Sequence, residues 1–480
     1  MNSFVAGEPG TSSSCKVRLA LLAKKHCVVV FLILLINLPV ACDVSDTNNT
    51  VTQVKSYPII RNRTPQPKPV SLDEKIGQML MVGFRGTSIR DQGVKDIIRD
   101  IKKFQLGGVI LFDYDVALKS SKRNIKSPKQ VTALIEELQV VSSIPLLIAI
   151  EQEGGKRQRL KKKFGFPATA SARYLGKKND LALTYRHASV IAKTLARLGI
   201  NFNFAPVVDL NLNRKNPAIG RLRRSFSASP YIVTRHALKF IEAHHEQGIF
   251  CALKYFPGQG SATDDSRFGL VDVTDTWQER ELEPYKRLIG KGMADAIMTA
   301  HVFNGVLDYE YPATLSKRSI TGVLRQQLGY TGVVVSDDMQ MKAITRHYPR
   351  KLAIQKTLEA GIDIIVIGNN LKYEKNIVGR TVAVIKQLIR ERKLSQKRID
   401  ESYSRILALK NRLPKKYRFT VNATPSNSRI RIMNIDPKYF AGIKLEPGRY
   451  DILVEKYGYL PNRQWITIED KDVTVAVELK

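Results

Sequence analysis

The run Val333-Val334-Val335 ends in Ser336-Asp337-Asp338-Met339. Three β-branched residues followed by a hydroxyl and two acids are how a buried parallel strand delivers a carboxylate to the rim of a barrel. Asp337 is the candidate reactive acid; the alternative is a helix N-cap ahead of residues 339–344, and Asp338 reads as a cap or a supporting acid. The same logic, applied to other apolar runs, gives Glu151-Gln152-Glu153-Gly154-Gly155, then Asp209, Lys254, His301 and Asn369-Asn370 at further strand ends. Asp209 could equally hold the barrel together, and His301 could equally be a core histidine. Seven histidines are scattered without metal-ligand spacing, and His244-His245 fall inside a helical pattern; no metal and no other cofactor is expected. Gly83-Phe84-Arg85-Gly86 is a poor phosphate loop. Carboxylates, amides, Lys and Arg converging without a metal suit a neutral polyol such as a sugar, where one carboxylate can attack the anomeric carbon. Residue types and periodicity suggest this chemistry without fixing it.

Short apolar strands alternate with amphipathic stretches between residues 72 and 412. Strands are expected near 79–84, 108–112, 145–150, 201–208, 250–255, 295–300, 333–336 and 363–367. Helical patterns fall near 93–104, 128–142, 181–198, 232–247, 278–290, 316–328 and 350–360, with a closing helical run over 371–411. About eight β/α units in this order predict an α/β fold of the (β/α)8 TIM-barrel type; an open doubly wound sheet is the alternative. Residues 413–480 lose helical periodicity. Strands expected near 417–422, 429–435, 450–456, 464–468 and 473–479 make a small all-β, sandwich-like domain.

Residues 1–42 read as an export signal: Lys16, Arg18, Lys24 and Lys25 precede the apolar run Val28–Ile36, and Ala41 precedes Cys42. Cys42 would be the acylated residue of a lipoprotein, although Pro39 departs from the usual pattern; a plain cleaved signal or an uncleaved anchor are the alternatives. Residues 43–71 are polar and Pro-containing, a flexible tether. Cys251, the only cysteine of the body, reads as a buried strand thiol. The chain is strongly basic, 77 Lys+Arg against 44 Asp+Glu for a net charge of +33, which favours an anionic wall or membrane surface. The basic residues are dispersed and no nucleic-acid-binding motif accompanies them, so nucleic acid is not an expected partner.

The ordered motifs Ile150-Glu151-Gln152-Glu153-Gly154-Gly155 with Arg159, Asn203–Asp209, Arg224-Ser225-Phe226, Leu253–Gly258, Met298–His301, Pro312–Ser316 and Val335–Met339 resemble the N-terminal barrel of glycoside hydrolase family 3, on its β-N-acetylhexosaminidase side. The resemblance spans roughly residues 72–412. It implies a retaining glycosidase with Asp337 as nucleophile, and it places Glu151, Arg159, Asp209, Arg224, Lys254, Tyr255 and His301 as candidate sugar-binding residues. It also implies an Asp-Ser-His acid/base after the fifth strand. Here that segment reads Asp265-Ser266-Arg267, and the family's Lys-His-Phe-Pro-Gly-His-Gly reads Lys254-Tyr255-Phe256-Pro257-Gly258-Gln259-Gly260. Asp265 is then a remnant of the acid/base and Arg267 marks the missing histidine. Glu151 replaces the family's Asp.

Arginine keeps its proton near neutral pH, and loss of a general acid costs about 10²–10⁴ in rate. The expected substitutes nearest in sequence are Asp264, Asp265 and Tyr255. Residues 413–480 resemble a PEGA-type domain on Thr424–Ile435, Pro447–Tyr450 and Lys456–Tyr459, implying attachment or docking. Tyr457 and Tyr459 read as sandwich-corner tyrosines, or alternatively as a contact patch. The resulting expectation is an exported bacterial-envelope glycosidase, a monomer, acting on amino-sugar glycans such as peptidoglycan fragments. The alternative is a catalytically impaired glycan-binding or scaffolding protein on the same barrel.

Overall fold

The computed structural model describes residues 69–480 apart from 122, 436 and 437. The export-signal, Cys42 and most of the tether expectations lie outside the described residues.

Eight short parallel strands form one ring: β1 (Leu80–Gly83), β2 (Gly108–Ile110), β3 (Leu147–Ile150), β4 (Phe202–Asn203), β5 (Phe250–Phe256), β6 (Ala296–Thr299), β7 (Val333–Val335) and β8 (Ile365–Ile367). Each pairs in parallel with its sequence neighbour from β1 to β7, and β8 pairs with β1. A single parallel bridge between Val335 and Ile364 joins β7 to the start of β8 and brings the ring to near closure. Every residue of these strands is buried. That is why they read as unbroken apolar runs: the interior covers one face and the helices the other.

The helices between strands start and stop where the sequence supplies caps. Ser127 accepts a hydrogen bond from the Gln130 amide with Pro128 in the first turn. Asp180 accepts one from Leu183, and the helix Leu181–Leu198 ends on Gly199 at φ 80°. The patterns at 181–198 and 350–360 match the observed helices residue for residue. The closing run 371–411 is two helices, Ile377–Arg390 and Gln396–Lys410. The segment Arg318–Gln327 is helical but wound with i→i+5 bonds. The helix expected at 232–247 runs Pro230–His245, so His244 and His245 sit at its C-terminal end rather than in its middle.

Strand expectations erred chiefly in length. The stretch 201–208 shrinks to Phe202–Asn203 because Pro206 has no N–H for the ladder; Val207 resumes contact as a bridge to Lys254. Cys251 is a fully buried thiol on β5, as expected.

Residues 417–479 form two three-stranded sheets around their own core. One holds β9 (Tyr417–Thr424), β11 (Ile443–Leu445) and β14 (Val473–Glu478); the other holds β10 (Arg429–Ile432), β12 (Gly448–Glu455) and β13 (Asn462–Ile468). Phe419, Ile443, Ile452, Val454 and Ile468 are at its centre. The short strand β11 was not foreseen. Tyr457 and Tyr459 are not corner residues: both are exposed in the connection between β12 and β13.

Candidate active site

At the C-terminal ends of the strands lies a cavity of about 190 Å³. Its charged lining is Glu151, Arg157, Arg159, Arg224, Asp265, Arg267, Asp337 and Asp338, with Tyr255, Gln259 and Asn370 adding polar groups; Phe112, Phe204 and Met298 supply apolar wall. This end of the barrel is where such folds carry chemistry.

Asp337 lies immediately beyond β7. Ser336 Oγ accepts a hydrogen bond from the Val366 amide at 2.9 Å, which ties this strand end to β8. One Asp337 oxygen accepts from the Asp338 amide at 2.8 Å. Among the described residues Asp337 has no ion-pair partner, and its carboxylate lines the cavity. It does not cap a helix: the helix that follows begins at Lys342 behind Met341. Asp338 also reaches the cavity, but one of its oxygens accepts from the amides of Gln340 and Gly368. Burial pushes its carboxyl up to about 6.

Opposite stands a lattice of ion pairs. Lys254 Nζ is 2.7 Å from Glu153 and 3.3 Å from Glu151. Arg224 grips Glu153 with two parallel bonds, 2.8 and 2.6 Å, and donates also to the Tyr255 hydroxyl. Arg159 pairs with Glu151 and Asp113. Burial alone would raise both glutamates. The cations outweigh it: Arg224 and Lys254 hold Glu153 at about 2, and Lys254 and Arg159 hold Glu151 well below its usual range.

Two local devices deliver these groups. β5 shifts register between Lys254 and Phe256 against β6, which frees two successive side chains, Lys254 and Tyr255, from the strict alternation of a strand. After β3, Gly154 at φ 98° and Gly155 at φ 57° make a tight turn that pairs Gly154 with Arg157; a Cβ on Gly155 would stand 2.5 Å from that of Ser171. Gln152 then accepts from the amides of Arg159 and Leu160, fixing the returning strand.

The structure thus brings Glu151, Arg159, Arg224, Tyr255, Asp265, Arg267 and Asp337 to one cavity. Three expected sugar contacts do not line the cavity. Lys254 is fully buried and acts on the cavity only through Glu151 and Glu153. Asp209 is buried beneath the loop after β5 and accepts from the amides of Tyr255 and Gln259; burial and the neighbouring Glu281 push it up to about 7. His301 is buried between the Thr314 hydroxyl and the Asp338 carbonyl, 2.8 and 3.1 Å away, and braces the β7 loop. Arg157 was not singled out by sequence reasoning. The signal was present, because Glu151, Glu153, Arg157 and Arg159 alternate around a Gly-Gly turn.

On the loop after β5, Arg267 binds Asp265 through its backbone amide and Nε, each 3.0 Å from Oδ1, and through Nη2 to the other oxygen. Burial would raise the Asp265 carboxyl, but these bonds hold it below the usual range, and they raise the guanidinium in turn. Asp264 is exposed and bonds the Thr263 hydroxyl. Tyr255 is raised by burial and keeps its phenol proton at neutral pH.

A charged cavity at the strand tips of a near-closed parallel barrel defines the class as a barrel with its site at the usual face, and the comparisons with known proteins supply the family. Residues 71–409 match the model of the glycosyl hydrolase family 3 N terminal domain, and the chain belongs to that family. It is 33% identical over 383 residues to Beta-hexosaminidase A of Pseudoalteromonas piscicida, covering 72% of this chain and 62% of that protein. It is 35% identical over 298 residues to a Beta-hexosaminidase of Xylella fastidiosa, strain M23, covering 60% and 83%. Among solved structures it resembles a glycoside hydrolase family 3 beta-N-acetylglucosaminidase from Paenibacillus sp. str. FPU-7, at 36% identity and TM-score 0.65, over 72% of this chain and 63% of that one. A Beta-N-acetylhexosaminidase from Beutenbergia cavernae aligns at 27% identity and TM-score 0.63, over 72% and 99%. The chain therefore spans less than two thirds of the Pseudoalteromonas and Paenibacillus proteins.

Proposed function

We propose that the protein is a retaining exo-β-N-acetylglucosaminidase of amino-sugar glycans, peptidoglycan fragments included, in which Asp337 attacks the anomeric carbon. The observation that carries this is the Asp337 carboxylate: it stands at the β7 tip, lines the cavity and, among the described residues, has no ion-pair partner that would blunt it. Electrons pass from its oxygen to C1 as the glycosidic C–O bond breaks, giving a glycosyl ester that water then hydrolyses. Glu151, Arg159 and Arg224 border the space the sugar would fill, held rigid by Lys254 and Glu153.

Leaving-group protonation is the weak step. Asp265 is locked as a carboxylate by Arg267, and Arg267 does not release a proton. Of the three substitutes expected from sequence, Tyr255 alone both lines the cavity and retains a proton, and a phenol this reluctant is a poor acid at neutral pH. The enzyme is accordingly a slow hydrolase with a strong preference for good leaving groups. The same Asp265–Arg267 pair favours the second reading, a glycan-binding descendant that no longer turns over natural substrates.

Comparison of nitrophenyl N-acetyl-β-glucosaminide with a natural N-acetylglucosamine disaccharide separates the two. Cleavage of the nitrophenyl glycoside far faster than the disaccharide supports a hydrolase without its acid. Arg267→His should then raise the disaccharide rate by about 10²–10⁴ while changing the nitrophenyl rate little. No hydrolysis of either substrate, with sugar still bound, supports the binding protein. The apolar export segment and Cys42 support placement at the bacterial envelope on a lipid anchor, and the PEGA-like motifs support a docking role for residues 413–480. The basic charge suits an anionic wall or membrane surface.

A further inference from the structure

The cations around the cavity are matched with one exception. Arg159 has Glu151 and Asp113, Arg224 has Glu153, Lys254 has both glutamates, and Arg267 has Asp265. Arg157 has none: among the described residues it makes no side-chain hydrogen bond and no ion pair, and its Nε is buried without a partner. It is not a surface residue caught by chance. The Gly154-Gly155 turn fixes its backbone by two bonds, Arg157 N to Gly154 O at 3.1 Å and Glu153 N to Arg157 O at 3.0 Å. Its neighbour Lys156 is exposed while Arg157 lines the cavity. The charged neighbours are unhelpful: burial lowers its pKa, Arg224 lowers it further, and the two acids that act on it are already bound, Glu151 by Arg159 and Lys254 and Asp265 by Arg267.

A guanidinium is a planar fork of donors that fits carboxylate, sulfate or phosphate oxygens in pairs. Left against a neutral sugar it would remain a partly desolvated, unmatched charge, which penalises the neutral ligand relative to an anionic one. We propose that Arg157 is the recognition point for an anionic group on the bound glycan, so that the site selects amino sugars bearing a carboxylate or a sulfate over neutral N-acetylglucosamine. The proposal rests on the cavity being a sugar site, and it narrows that site's substrate class.

Calorimetry on the full chain with N-acetylglucosamine, N-acetylmuramic acid and N-acetylglucosamine 6-sulfate tests it. One or both anionic sugars should bind at least about tenfold more tightly than the neutral one, and which of them does so identifies the anion. Arg157→Gln, its fold verified by melting, should bring the anionic-to-neutral ratio to about one, and Arg157→Lys should leave an intermediate ratio that falls with added salt. Neutral sugar bound as tightly as both anions, or a preference that survives Arg157→Gln, overturns the proposal while leaving the sugar site standing. Binding of none of the three sugars overturns the sugar site itself, and the proposal with it.

Discussion

In the proposed hydrolase Arg267 would oppose proton transfer in two ways at once. It takes the place of a group that could cycle a proton, and it clamps the remaining acid of the motif, Asp265, as an ionised carboxylate. The first effect was legible in the sequence as an arginine where the family resemblance wants a histidine. The second was not, since only the folded loop shows which way the guanidinium turns. The same limit applies to Lys254, whose place in a strand-end motif says nothing of whether its ammonium faces ligand or glutamate. Glu153 is the residue most dependent on its partners, with Arg224 and Lys254 both closing on it in a buried setting. Replacing it with Gln leaves two buried cations short of an anion. Glu153→Gln should therefore destabilise the barrel by about 3–5 kcal/mol, read as a drop in denaturant midpoint at pH 7; a loss within about 0.5 kcal/mol would show that the ion lattice is solvated and not structural.

At the scale of elements, the catalytic face is built from strand tips and the irregularities next to them: the Gly-Gly turn after β3, the Pro206 break after β4 and the register shift in β5. The strands themselves were legible because parallel strands buried on both faces must be continuously apolar. Their lengths were not, because proline breaks and register shifts depend on neighbours. The loop after β5 rests on two buried acids, Asp209 under the Tyr255 and Gln259 amides and Glu281 under the Gly260 amide. Burial raises both to about 7. Asp209 thus binds its proton in the folded protein at pH values where the unfolded chain, near 3.8, has released it. Folding stability from this group is greatest in acid and declines as pH rises between those two values. Asp209→Asn keeps the acceptor oxygen and removes the titration. Its stability relative to the unmodified chain should rise between pH 5 and pH 8 by roughly 2–4 kcal/mol; a difference independent of pH would mean the carboxyl is ionised throughout.

At the scale of the whole molecule, the described residues carry two separate cores, one within the barrel and its helices, the other between the two small C-terminal sheets. The change from helical to alternating pattern near residue 413 marked that division in the sequence. The missing element, β11, is only three residues long and too short for alternation to register. Lys444 links the two, its Nζ donating to the carbonyls of Gln139 and Ser142 at 3.3 Å each. A part with its own hydrophobic core can in principle fold alone. A chain ending at residue 413 should melt as a folded barrel with nitrophenyl glycosidase activity within about twofold of the full chain; an unfolded barrel would show that the β domain is an integral part of it.

The proposed hydrolysis depends most on Asp337 reaching the anomeric carbon. Incubation with a fluorinated N-acetylglucosaminyl donor that forms the glycosyl ester quickly and releases it slowly, followed by peptide mapping, reads this out directly. The expected result is a single glycosylated peptide with the sugar on Asp337, absent from Asp337→Asn. A label on any other carboxylate, or none on a chain that still binds sugar, would contradict it.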